Sequence, residues 1–373
     1  MKPNFKILDG LRGIAATYVL LNHARGNLLM GGNEYSQIKP VVNWSFPEKL
    51  YYTSLQLTTL GREFVILFFI LSGFSIAYSL TNKTKISGFY LRRMIRLYPP
   101  FVTALIWAAV VFFIAKTFSP ILTLNSFSVF DSFQSTALNL LYIPNGSFIG
   151  QFWSLAYEVI FYLLVPFLIL NRRLYYATSI AACIISVGIS WSDISGNNIP
   201  MIYILDYNIY FAVGIWLFHN YEVVSKKVLI KNKVLFYSII TLLFLSMVII
   251  KFKTYPLNKI TVFICVVMTI LMIVYFIKNE VHNKVLAFLG NMSYTLYLTH
   301  HASLCFFKTF LLKFKIVDSI LISTWYIWII GVFVSIGISY IFYNIAEVPS
   351  KNLLTKMRYK LPITPESSLV LKT

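Results

Sequence analysis

Long apolar segments recur along this whole chain, and they restrict what it can fold into. Ten of them approach the roughly 20 residues that a helix needs to cross a membrane. Hydrophobic residues make up 58% of the sequence and charged residues only 12%, whereas soluble domains carry about 25% charged residues. The segments lie near 11–31, 63–81, 98–118, 151–170, 174–191, 200–219, 234–251, 258–277, 286–312 and 320–346. We therefore predict an all-α, polytopic integral membrane protein with about ten transmembrane helices.

The distribution of lysine and arginine predicts the orientation. Both tails and every second loop hold most of the 32 basic residues, and cytoplasmic loops are enriched in these residues. Both termini are therefore predicted to be cytoplasmic. The net charge of +19 follows from this bias and from attraction to anionic lipid, so no nucleic-acid partner is expected.

We expect a single domain. Residues 1–350 are assigned to one transmembrane domain and residues 351–373 to a short basic cytoplasmic tail. The gaps 32–62 and 119–150 are too short for a further domain, and they could hold re-entrant or interfacial pieces. Cys183, Cys265 and Cys305 are dispersed within apolar segments, so we predict packing roles, with no disulfide framework and no metal site.

Arg12 and His23 stand out among the ionisable residues of the first apolar segment. Ionisable side chains inside a membrane span are costly and are functional candidates by default. Arg12 precedes His23 by eleven residues, almost a whole number of helical turns, so both side chains share one face about 16 Å apart. They are candidates for two ends of one reaction path.

A cluster of arginines precedes the third segment. Arg92, Arg93 and Arg96 are predicted to lie in an inner loop, and the prolines at 99 and 100 to mark the helix start. Guanidinium groups bind phosphate in a bidentate manner, so Arg93 and Arg96 are candidates for binding a cytosolic phosphate-bearing donor. The alternative is that these are ordinary juxtamembrane cations.

The fourth segment carries Trp153, Ser154 and Glu158 near its outer end. Ser154 and Glu158 are four residues apart and share a helix face. A carboxyl group within a span either pairs or protonates. Glu158 could therefore orient His23, act as an acid or base itself, or bond across helices. Trp153 and Ser154 are candidates for binding an acceptor.

The ninth segment carries a polar stripe. Ser293, Tyr297 and His300 (or His301) follow helical spacing and suggest a hydrated acceptor site, although interhelical hydrogen bonds explain such a stripe equally well. Near the end of the last segment, Glu347 precedes Pro349 and is expected to pair with an arginine at the inner surface.

Several motifs together resemble the membrane-bound acyltransferase family 3. The ten residues between Arg12 and His23 match the arginine-ten-histidine signature of that family. Further agreement is found, in order, at Phe68-Phe-Ile-Leu-Ser-Gly-Phe74, at Arg93 and Arg96, at Trp153 to Glu158, at Leu289-Gly290 through His300, and at Glu347-Val-Pro349. The resemblance spans essentially the whole chain.

The resemblance implies an O-acyltransferase that moves an acyl group, usually acetyl, from acyl-coenzyme A to a hydroxyl of an envelope polysaccharide or lipid-linked glycan. It implies that His23 is the base and that Arg12, Arg93 and Arg96 engage the donor. No tightly bound cofactor is implied, since coenzyme A is a substrate. The resemblance favours the bacterial inner membrane and a stand-alone form without the extracytoplasmic esterase-like domain of some relatives.

Two other functions compete with this interpretation. Ten spans with buried charges also suit a transporter or polysaccharide exporter, although no inverted repeat and no paired broken helices are visible in the sequence. A membrane sensor or structural subunit would leave the stripe of Arg12 and His23 unexplained. An acyl-histidine intermediate is a second chemical route beside base catalysis.

Overall fold

The computed structural model is mainly helical in the residues that it describes, which are 7–80, 86–118, 152–191, 207–228, 230, 232–251, 258–281, 283–317 and 325–360. The helices are α1 (Leu8–Leu28), α2 (Gly32–Ile38), α3 (Phe46–Ser54), α4 (Gly61–Leu80), α5 (Ile86–Phe118), α6 (Trp153–Leu170), α7 (Arg172–Trp191), α8 (Asn208–His219), α9 (Tyr221–Lys227), α10 (Lys233–Lys251), α11 (Asn258–Lys278), α12 (Lys284–Asn291), α13 (Ser293–Lys313), α14 (Trp325–Phe342) and α15 (Val348–Lys360). The all-α prediction is confirmed for this part of the chain.

The predicted number of ten spans is not confirmed. Among the described residues, five helical stretches are long and apolar enough to cross a membrane: Phe46–Leu80, Gly88–Phe118, Lys233–Lys251, Ile260–Lys278 and Tyr326–Met357. Neither α1 nor α13 is among them, because both carry polar and charged side chains. Most residues of α13 are nevertheless buried, so its polar groups face other helices of the bundle.

Two pairs of glycines let helices approach each other closely. A Cβ atom on Gly73 of α4 would lie 2.1 Å from the carbonyl oxygen of Phe211 in α8, and one on Gly290 of α12 would lie 2.0 Å from that of Asp9 in α1. Gly13 and Gly214 make the reciprocal contacts. Small residues at such crossings are typical of membrane helix packing, and here they fix α1 against α12.

Gly290→Ala is expected to destabilise the protein, because the added methyl group would overlap the backbone of α1. Overpacking of a tight contact costs about 1–3 kcal/mol. Gly337→Ala in α14 is the matched control, since a Cβ atom there has no neighbour within 4 Å. Thermal unfolding in detergent should show a lower midpoint for Gly290→Ala alone. An unchanged midpoint would show that α1 and α12 can separate at little cost.

The predicted ninth span is wrong as a single helix. Residues 286–312 form two helices that meet at Met292, where the backbone leaves the helical conformation. The side chain of Asn283 accepts hydrogen bonds from the backbone of Val285 and Leu286 and so caps α12. The polar stripe therefore begins at the N-terminus of α13 rather than within a longer helix.

The last segment differs from the prediction at Glu347. The chain passes through one π-helical turn, Tyr343–Glu347, and continues as α15 through Pro349. Glu347 is buried and pairs with Lys351 at 2.8 Å rather than with an arginine. Its second oxygen accepts from the hydroxyl of Thr295 at 2.5 Å. Helix α15 crosses the predicted tail boundary at residue 350, and residues 361–373 lie outside the described part.

Residues 32–58 form two short helices at the C-terminal end of α1. Tyr35, Trp44 and Tyr52 pack together with ring centroids 4.8–5.5 Å apart. Ile38, Val42 and Phe46 are exposed. Exposed apolar and aromatic side chains suit an interfacial position, one of the two possibilities left open for this gap, whereas the other gap, 119–150, lies outside the described residues. We call this end of the bundle the histidine end and the opposite end, with Arg12, the arginine end.

Candidate active site

Helix α1 is the scaffold of the candidate site. It is continuous from Leu8 to Leu28, so Arg12 and His23 share one helix, as the sequence predicted. The Arg12 guanidinium donates to the carboxylate of Asp9 and to the hydroxyl of Ser75 on α4. Arg12 is thereby held toward the interior of the bundle, with 17% of its side chain exposed.

Three arginines meet at the arginine end. Arg93 lies over the rings of Phe89 and Tyr162, each 5.4 Å from the guanidinium carbon. Arg12, Arg93 and Arg96 are close enough for their charges to repel one another. In the described part of the chain, no carboxylate forms an ion pair with Arg93 or Arg96. Such a cluster of like charges can accommodate an anion with several negative oxygens.

The arginine pair lies within a helix rather than in a loop, which corrects the prediction. Helix α5 has 33 residues and contains both prolines. At about 50 Å it exceeds the roughly 30 Å hydrocarbon core, so its first turns extend beyond the core. Proline has no N–H, so Pro99 and Pro100 leave the carbonyls of Ile95 and Arg96 without their usual helical donors. These carbonyls add acceptors beside the arginines.

Glu158 lies with the arginine cluster. It accepts hydrogen bonds from Ser72 at 3.1 Å and from Tyr162 one turn further along α6. Ser72 is three residues from Ser75, which binds Arg12. Glu158 therefore lies at the depth of Arg12 and bonds across helices, one of the alternatives left open by the sequence. Its assignment to catalysis stays a prediction.

The serines of α4 are functional candidates that sequence reasoning missed. The half-buried residues of this otherwise largely buried helix are Phe68, Ser72, Ser75, Ser79 and Leu80, and the spacing of the first four places them on one face. This face is turned toward Arg12 and Glu158. The spacing of Ser72 and Ser75 within a run of apolar residues was the available signal.

His23 forms a pair with His300. His23 Nδ1 lies 3.0 Å from His300 Nε2, and His300 Nδ1 lies 3.1 Å from the backbone oxygen of Leu296. His300 is fully buried. The ring of His301 is nearly perpendicular to that of His23, with centroids 6.0 Å apart. Of the predicted stripe, His300 is thus the member in direct contact with His23.

The other predicted acceptor residues, Trp153, Ser154, Ser293 and Tyr297, have different surroundings. The hydroxyls of Ser154 and Tyr297 lie 2.6 Å apart in the interior, so they join α6 to α13 beside His300. Ser293 donates to the Gly290 carbonyl at 2.8 Å, which gives it a capping role. Trp153 is half-buried.

An aromatic cluster lies around Trp153 at the histidine end. The rings of Tyr157 and Tyr207 lie 5.6 and 5.4 Å from that of Trp153. The guanidinium of Arg62 lies 5.6 Å from the ring of Tyr207. Arg62 follows the first residue of α4, which starts at the histidine end, so the cluster lies at the same end as His23. Aromatic faces with a nearby cation can bind a polar ring.

The C-terminal end of α1 is fixed by Lys308, which sequence reasoning also missed. Lys308 is buried, and its ammonium group donates to the Asn27 backbone oxygen at 2.5 Å. The last carbonyls of a helix have no intrahelical donor and attract cations. Asn27 in turn donates to the His23 carbonyl at 2.8 Å. Lys308 thus holds the last turn of α1, and Asn27 connects this turn to the backbone of His23.

Comparison with known proteins identifies the family. A family profile described as "Acyltransferase domain", the third such acyltransferase family, matches residues 5–344. The chain belongs to acyltransferase family 3. The match covers α1, the arginine cluster, Glu158 and α13, so the candidate site lies within the family domain. The predicted resemblance is confirmed.

A curated relative also carries an acyltransferase name. The family 3 chain is 36% identical over 146 residues to "Acyltransferase MdmB" of Streptomyces mycarofaciens, with 36% of each protein covered. The chain thus spans about a third of the length of that relative. No solved structure matches. Family membership and the apolar helices indicate a membrane acyltransferase.

Proposed function

We propose that this protein is an O-acetyltransferase of the bacterial inner membrane that uses acetyl-coenzyme A and modifies a hydroxyl of an envelope polysaccharide or lipid-linked glycan. The observation that carries the proposal is the arrangement on α1. One helix bears Arg12, beside Arg93 and Arg96, which form no ion pair in the described part of the chain, and His23, paired with His300, about 16 Å away. A polyanionic donor with a long neutral arm fits this arrangement.

Coenzyme A would bind with its phosphates at Arg12, Arg93 and Arg96. Guanidinium groups recognise phosphate oxygens through pairs of charge-assisted hydrogen bonds. The pantetheine arm would follow α1 past the serine face of α4, where Ser72 and Ser75 offer hydroxyl groups. Glu158 would support this site through Ser72 and Tyr162, and the thioester would reach His23.

The acceptor hydroxyl would attack at the histidine end. Its oxygen forms a bond to the thioester carbonyl carbon while His23 takes its proton. The carbon–sulfur bond then breaks, and the proton returns from His23 to the leaving thiolate to give coenzyme A. The cluster of Trp153, Tyr157 and Tyr207 lies at this end and would stack on a sugar ring. Donor and acceptor would thus enter from opposite sides.

The decisive experiment uses purified protein in liposomes with acetyl-coenzyme A labelled in the acetyl group and a candidate acceptor glycan. Transfer of label to the glycan, with release of one free thiol per acetyl group, supports the proposal. Glycan flux across the vesicle membrane without any transfer of label would instead identify an exporter. Label on the protein itself in the absence of acceptor would reveal an acyl-histidine intermediate rather than direct transfer.

The acceptor can be sought in the cell envelope. Mass spectrometry of envelope glycans from strains with and without the protein would compare their acetyl content. Loss of one acetyl group from a defined sugar would name both the acyl group and the hydroxyl. Identical glycans in the two strains would refute an envelope polysaccharide as the acceptor.

A further inference from the structure

The pair of histidines has defined donor and acceptor roles, which follow from one backbone contact. The carbonyl oxygen of Leu296 can only accept a hydrogen bond, and it lies 3.1 Å from His300 Nδ1. The proton of His300 must therefore be on Nδ1. In a neutral imidazole the other nitrogen then carries a lone pair, so His300 Nε2 is an acceptor.

Burial supports the neutral form of His300. The side chain is fully buried, and among the described residues the ionisable groups around it are His23, His301 and Tyr297. None of these is a carboxylate that could compensate a positive charge. A buried charge without a partner is unfavourable, so His300 accepts at Nε2 rather than donating from both nitrogens.

The same argument then fixes His23. Its Nδ1 lies 3.0 Å from the acceptor nitrogen of His300, so His23 Nδ1 must carry the proton. His23 Nε2 is left with the lone pair, and His23 is only partly buried. We propose that His300 is a positioning residue that holds His23 in the tautomer whose Nε2 can accept a proton from the acceptor hydroxyl.

His300 would also stabilise the protonated state of His23. When His23 Nε2 takes the proton, the ring becomes positively charged, and its Nδ1–H bond to His300 becomes charge-assisted and stronger. The hydrogen bond that His300 Nδ1 donates to the Leu296 carbonyl, at the far side of the ring, stays in place during this step. His300 thus does for His23 what an orienting partner does for other catalytic histidines, but without a negative charge. This inference rests on the proposed transferase function for its kinetic consequence only.

Three variants separate the positioning role from a structural one. His300→Gln keeps an acceptor oxygen near the place of Nε2, His300→Leu removes it at similar size, and His301→Leu changes the neighbouring buried histidine. We expect His300→Leu to lower kcat about 10–100-fold, the range found when partners that orient a ligand or base are lost. His300→Gln should recover at least half of this loss on a logarithmic scale, and the KM for acetyl-coenzyme A should stay unchanged. Equal losses in all three variants would overturn the proposal.

The tautomer of His23 can be determined without an activity assay. The chain contains five histidines, so nitrogen-15 NMR of histidine-labelled protein in liposomes gives few signals, assigned by comparison with His23→Ala. We expect a protonated Nδ1 and an unprotonated Nε2 at His23, and a mixture of tautomers in His300→Leu. A wild-type His23 with its proton on Nε2 would refute the inference whether or not the protein transfers acetyl groups. The expected tautomer without transferase activity would refute the proposed function alone.

Discussion

His23→Ala is expected to lower the rate of acetyl transfer by about 10²–10⁴-fold, the usual contribution of a positioned base. His23 bonds to His300 through one nitrogen, which leaves the other for the acceptor. The backbone of α1 around it is fixed independently by Lys308 and Asn27. The variant should therefore fold, enter the membrane and bind coenzyme A with unchanged affinity. Initial rates of label transfer in liposomes measure the effect.

The matched control for this experiment is His219→Ala. His219 lies at the end of α8, on a different helix from His23. Its Nδ1 is 3.2 Å from a guanidinium nitrogen of Arg172, at an exposed position. It should retain wild-type turnover. If His23→Ala kept more than a third of the wild-type rate while remaining folded, a base other than His23 would be required.

Arg93→Ala combined with Arg96→Ala should weaken coenzyme A binding by about 100-fold or more. A hydrogen bond to a charged group contributes about 1.5–3 kcal/mol, and about 1.4 kcal/mol corresponds to a tenfold change in affinity. Neither arginine forms an ion pair in the described part of the chain, although Glu158 is close enough to attract Arg93, so both guanidinium groups are available to the donor. Calorimetric titration with coenzyme A at two salt concentrations gives affinity and salt dependence together.

Arg172→Ala combined with Arg173→Ala is the matched control, because both residues are exposed at the start of α7 and the change in net charge is the same. This pair should leave the affinity within a few-fold of wild type. Equal weakening by both double variants would mean that overall charge, not a specific site, attracts the donor. Unchanged affinity in Arg93→Ala with Arg96→Ala would place the donor phosphates elsewhere.

Hydrophobic segment length predicted half of the ten segments closely, since α4, α6, α7, α10 and α11 begin and end close to the predicted bounds. The failures have physical causes. The apolar segment 286–312 contains a break in the helix at Met292. Hydropathy could not reveal this break, because a change of backbone conformation at one residue does not alter the hydropathy of the segment. Pro99 and Pro100 were expected to start a helix, but both lie inside α5, and prolines are tolerated inside membrane helices.

The candidate site was predictable in its residues but not in their partners. Helical spacing on α1 and α13 is a local property, so Arg12, His23 and His300 could be identified from the sequence. The packing of one helix against another depends on contacts between residues far apart in the sequence. The sequence alone therefore did not determine whether Glu158 lies beside His23 or beside another group. The contacts with Ser72 and Tyr162 answer this question only once the helices are packed.

The fixed position of α1 sets the distance that the donor must span between its phosphates and its thioester. Gly290 holds its N-terminal part against α12, and Lys308 holds its last turn, so Arg12 and His23 keep a separation of about 16 Å. A thioester much closer to its phosphates than this could occupy the arginines and still remain beyond reach of the imidazole. Selection of the donor would then depend on the distance between Arg12 and His23 on one helix. The protein would need few contacts with the acyl group itself.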